Sequence, residues 1–193
     1  MINESGACAY AKQLADGDTA LWTSVEIELS ADHAVHMMGY HEITEEFTTW
    51  LSECKSFEVI EEFGANDKLV KWNLNVPWAM KYVFSIPDTI YMRQLLRKDF
   101  PEAGAQSWLS VPYDGEKRVP VEAYGAIKLE SGCFIQDPAN PNKCTLYTMN
   151  KADLSMVPNF GIKMMLRKEM IGKFNTMVQT FKKSKHFETL SAK

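Results

Sequence analysis

The sequence predicts an α+β fold, a long curved antiparallel β-sheet wrapped around one long C-terminal helix, with two short helices after the first strand. Three observations carry this prediction. Strand-like patterns follow one another from about Phe57 to Leu154. Two short helical segments precede that run. One apolar stripe at helical spacing closes the chain, with Ile162, Leu166, Met170, Phe174, Met177, Val178 and Phe181 on one face between about Pro158 and His186. Runs of strands followed by a helix indicate α+β rather than a parallel βαβ arrangement.

The elements follow in order. "YAKQLADGDTALW" predicts a short N-terminal helix ended by Asp16-Gly17. "TSVEIELS" alternates Val25, Ile27 and Leu29 with polar residues, as a half-buried strand does. Ser30 suits an N-cap for "ADHAVHMM", and Gly39 suits its end. Phe47, Trp50 and Leu51 mark a second short helix. The strands are then "FEVIEEF", "LVKWNLNV" after an "NDK" turn, "WAMKYVFSI", "TIYMRQLLR", "AQSWLSV", "AYGAIKLESGCFIQ" and "KCTLYTMNKADL", the last two joined across the hairpin loop "DPANPN". Pro158 suits the first turn of the closing helix. Its methionines and Gly172 fit a helix facing an irregular space, or a packed core that uses methionine as filler.

The 193 residues suit a single domain, residues 1–193 with a core about 21–187. The composition, 46% hydrophobic and 24% charged, is that of a soluble protein, and no apolar run reaches the length of a membrane span. The start lacks the layout of a secretory signal, and the four cysteines form no CxxC. A cytoplasmic protein with reduced thiols is the expectation. The net charge of −4 is uneven: residues 163–193 hold eight Lys/Arg against two acids. That basic end suits transient contact with an anionic membrane, or a solvated helix face. No basic groove with interleaved aromatics indicates nucleic acid.

These residues, in this order, resemble the START (steroidogenic acute regulatory protein-related lipid transfer) domains of the Bet v 1-like helix-grip class. "SADHAVHMMGYHEITEEFTTWLSECKSFEVIEEF" is similar to the family's helix pair, tryptophan and following strand. "PDTIYMR" is similar to its Arg-Asp-aromatic-Val-x-x-Arg strand, with Asp88, Ile90 and Arg93 in register and Pro87 and Thr89 departing from it. "KADLSMVPNFGIKMM" is similar to the opening of its last helix, with Ser155 where glycine is usual. On this resemblance one or two opening strands are missing or trimmed.

The resemblance implies a lipid ligand, phospholipid, sterol or similar, held in an internal apolar cavity and transferred between membranes by a monomer with no cofactor, no metal and no catalytic residue. Arg93 would face the cavity and meet a buried acid or a lipid phosphate, the bidentate partner a guanidinium suits; exposure to solvent is the other reading. The neighbouring strand offers Trp72, Leu74 and Val76 on its apolar face, with no acid. The expected cavity wall is Trp50, Trp72, Leu74, Tyr91, Trp108, Tyr124, Tyr147, Met165 and Phe174, each of which core packing also explains. Trp78 and Met80 in "VPWAMKYVFSIP", with Lys168 and Lys173, would touch the membrane. Two other classes stay open. One is a helix-grip cyclase or hydrolase, although no GxSxG, HExxH or CxxC motif is present. The other is a filled-core adaptor that binds protein. A cavity of about 300–1,000 Å³ separates lipid binding from the adaptor.

Overall fold

The computed structural model describes residues 2–4, 7–38, 46–51, 54–75, 81–82, 85–155, 157, 161–162 and 172–192. The strands are β1 (Ile2–Glu4), β2 (Ala7–Gln13), β3 (Thr19–Ile27), β4 (Cys54–Gly64), β5 (Asp67–Leu74), β6 (Thr89–Lys98), β7 (Gln106–Asp114), β8 (Val119–Pro120), β9 (Ile127–Gln136) and β10 (Cys144–Ala152). The helices are α1 (Ala31–Met37), α2 (Phe47–Trp50), α3 (Gly172–Phe181) and α4 (Lys185–Ser191). Nine strands form one antiparallel sheet in the order β1-β2-β3-β10-β9-β7-β6-β5-β4, and β8 pairs with β7 off that path. Register shifts along β4/β5 and at Lys151/Ala152 add twist and bend the sheet.

The N-terminal segment corrects the sequence reading. The stretch from Tyr10, expected as a helix, is instead the second half of strand β2, which pairs along β3 from Ala7↔Val25 to Gln13↔Thr19. Pairing overrides the helix preference of Ala, Lys and Gln. Buried Ala7 and Ala9 point inward, while Tyr10 stacks on Trp22 across the pair at 4.8 Å. Asp16-Gly17 turns the hairpin, Gly17 taking φ +89°, a value that favours glycine. Two strands, β1 and β2, thus precede β3 in the sheet.

The closed end of the molecule is a core in which α3 packs into the concave face. Met177, Val178 and Phe181 meet Val25, Ile27, Val35, Trp50, Trp108, Phe134 and Leu146. Ser30 caps α1 as expected, accepting from the His33 amide. The terminal helix does not continue to His186. It stops at Phe181, and Ser184 starts α4, its hydroxyl accepting from the Phe187 amide at 3.1 Å and donating to the Phe181 carbonyl at 2.7 Å. Phe187 then packs edge-on to Phe181, 5.4 Å between centroids.

The predicted strand "WAMKYVFSI" is also corrected where the structure describes it, because Lys81 and Tyr82 are helical. No described helix is long and apolar enough to cross a membrane.

A concave pocket with a polar row

Strand alternation fixes the site. On β6, Ile90, Met92, Gln94 and Leu96 are buried on the concave face, while Tyr91, Arg93 and Leu95 point the other way. Leu96 belongs to the closed-end core. Ile90 and Met92 belong to a second apolar cluster with Val70 and Leu74, against which Trp72, Ile86, Tyr124 and Ile127 pack. Gln94 lies between the two.

Register places polar partners beside it. Gln94 sits opposite Lys68 on β5 and Ser110 on β7; Ser110 sits opposite Glu130 on β9, and Glu130 opposite Asn150 on β10. Directly paired residues share a face, so a row of polar side chains crosses the concave floor between two apolar regions. The next row toward the closed end holds Leu96, Trp108, Gly132 and Thr148. There Gly132 allows a close approach: a Cβ would overlap the Trp108 indole and the Tyr147 carbonyl. Thr148 and Thr23 share a hydroxyl hydrogen bond.

A hollow of about 220 Å³ opens over this floor, lined by Trp72, Leu74, Ile86, Ile90, Met92, Gln94, Ser110, Ile127 and Glu130. It is smaller than the expected range. Gln94 is 3% and Ser110 1% exposed, and among the described residues neither the Gln94 Oε1 nor the Ser110 Oγ has a hydrogen-bond partner. Glu130 keeps part of its surface open to the hollow, and burial of its carboxyl raises its pKa. Burial lowers the Lys68 ammonium to about 8, against the attraction of Glu62, which lies opposite it on β4.

Arg93 lies on the convex face. It forms a fork with Asp67 on β5, Nε to Oδ1 at 2.9 Å and an η nitrogen to Oδ2 at 2.6 Å, and covers the Phe63 ring at 4.6 Å. The acid holds its pKa above the usual arginine value.

No family model and no curated relative matches the sequence. Solved structures do match in fold. Human STARD10 superposes with a TM-score of 0.70 at 10% identity, covering 98% of this chain and 74% of that one. The human StarD13 lipid transfer and protein localization domain gives 0.65 at 14%, covering 95% and 88%. The Zhui aromatase/cyclase from Streptomyces sp. R1128 gives 0.53 at 9%, covering 84% and 93%. The fold is that of the START domains. The helix-grip architecture expected from the sequence is therefore present, with its concave face turned to α3.

Within this START fold the expected wall residues divide. Trp72 and Leu74 line the hollow, and Tyr124 packs on its apolar cluster, its hydroxyl donating to the Tyr113 carbonyl. Trp50 and Trp108 are buried in the closed-end core, where Trp50 donates to the Met37 carbonyl at 2.8 Å. Phe174 packs against that same core. Arg93, Tyr91 and Tyr147 are corrected to the convex face. Tyr91 lies under the backbone of Gly115, where a Cβ would overlap its ring, and Tyr147 is 45% exposed. Met165, Trp78, Met80 and Lys168 lie outside the described residues, and Lys173 is placed only through the backbone of α3. The sequence reading missed the polar row and the Asp67 partner. Asp67 was within reach, since it shares strand parity with Leu69, directly opposite Arg93.

Proposed function

We propose that this protein binds a lipid in the concave hollow and carries it between membranes without chemical change. The observation that carries this reading is the apolar wall of the hollow: Trp72, Leu74, Ile86, Ile90, Met92 and Ile127 line it. An apolar cleft with a few polar groups suits a ligand that is mostly hydrocarbon. The likeness in fold to a lipid transfer and protein localization domain supports the same reading. Removing acyl chain from water stabilises by about 0.8 kcal/mol per CH₂, so the carrier need only match the bilayer it takes lipid from.

Membrane contact belongs to the segment around Trp78 and Met80, together with Lys168 and Lys173. Tyr82, 85% exposed beside that segment, is a side chain suited to the headgroup level of a bilayer. Arg93 has no part in headgroup binding, because Asp67 occupies its fork on the opposite face.

Native mass spectrometry of protein purified from cells, followed by a vesicle-to-vesicle transfer assay, tests the proposal. A co-purified lipid at one per chain, and transfer above the protein-free rate, are expected. Absence of both defeats it. Release of a chemically altered lipid would instead favour the helix-grip enzyme reading.

A further inference from the structure

We infer that the polar row selects an uncharged lipid whose polar end is a hydroxyl, held by Gln94 and Ser110, rather than a phosphate headgroup. This rests on the lipid-binding reading above. Two residues that line the hollow, Gln94 and Ser110, each carry a buried polar atom, Oε1 and Oγ, with no hydrogen-bond partner among the described residues. Buried polar groups are ordinarily hydrogen-bonded, so an unpartnered pair just beneath a cavity wall is an observation in need of a ligand. The two residues are directly opposed on β6 and β7, and Glu130 continues the row on β9. Neighbouring strands lie about 4.8 Å apart, so the three positions span only about 10 Å.

The chemistry on offer is mixed. An amide oxygen accepts; a serine hydroxyl both donates and accepts. A lipid hydroxyl also does both, and it can donate to Gln94 while accepting from Ser110. Burial raises the pKa of Glu130, which favours its protonated, hydrogen-bond-donating form. A phosphate is an acceptor of high negative charge and calls for arginine or lysine. Among the described residues lining the hollow there is neither. Lys68, one strand beyond Gln94 in the row, already faces Glu62 across β4.

Three probes of one chain length separate the possibilities: decan-1-ol, its methyl ether and decyl phosphate. Isothermal titration of the full chain is expected to give decan-1-ol a Kd about tenfold below either of the others, the effect of one good hydrogen bond. Dehydroergosterol against its methyl ether asks the same question of a ring lipid, and a preference in that series alone assigns the hydroxyl to a sterol-type source. Equal binding within both series overturns the inference and leaves lipid binding standing. Failure of every probe to bind, with no co-purified lipid, removes both.

The double variant Gln94→Leu/Ser110→Ala is expected to reduce the preference to less than about threefold while the ethers still bind. Replacing unpartnered buried polar groups with apolar ones of similar shape is close to neutral for folding. Should the double variant not fold, Ser110→Ala alone removes a single oxygen and carries the same test. A preference that survives either substitution overturns the inference.

Discussion

Arg93 and Lys68 show how one side chain changes meaning with its face. Arg93 stands in a strand rich in apolar residues, yet alternation turns it outward to Asp67 and Phe63. Its fork is partly exposed, and such pairs contribute about 1 kcal/mol or less. Arg93→Leu is therefore expected to lower stability by about that amount in urea unfolding and to leave lipid transfer at the wild-type rate; slowed transfer would return the residue to the ligand path. Lys68 is the opposite case, a cation buried on the concave face with a pKa lowered to about 8 from 10.5. Because the folded value is the lower one, the protonated form opposes folding. That cost is full below pH 8 and disappears as pH rises toward 10.5. Lys68→Met is expected to raise stability at pH 7 by on the order of 2 kcal/mol, a gain that vanishes near pH 10.5. A gain of equal size at both pH values would assign it to packing instead.

Elements with a clean period were legible in the sequence, and those decided by local competition were not. The alternation of Val70, Trp72 and Leu74 gave both a strand and the correct inward face, so two of the pocket residues followed directly. The stretch from Tyr10 to Asp16-Gly17 read as helix because alanine, lysine and glutamine favour helices when nothing pairs with them; the partner of residues 10–13, β3, lies beyond the turn. The terminal stripe read through to His186 because Phe181 and the residues after it keep helical composition. Ser184 ends that run by spending its hydroxyl on backbone groups of both helices. Ser184→Ala is expected to cost about 1 kcal/mol and to speed amide exchange in α4 before the rest of the chain. Unchanged exchange there would mean that the Phe187–Phe181 contact holds α4 by itself. The polar row lay outside sequence reasoning for a different reason. Gln94, Ser110 and Glu130 belong to three strands, and only the register of the folded sheet brings them together.

At the scale of the molecule, the concave face divides into a packed end, a polar row and an apolar hollow. At the packed end α3 docks, and the Trp108 indole comes so close to Gly132 that a side chain there would hold it away. The hollow is the space beyond it, and the polar row lies between the two. Chemistry is thus placed at the inner limit of the hollow, where a long ligand entering end-on would present its terminus. The row is also the product of pairing alone. Cut into peptides, the chain would keep every one of these side chains and lose the constellation entirely, so discrimination between cargoes should vanish at the same denaturant midpoint as the sheet itself, with no surviving fragment able to tell an alcohol from its ether.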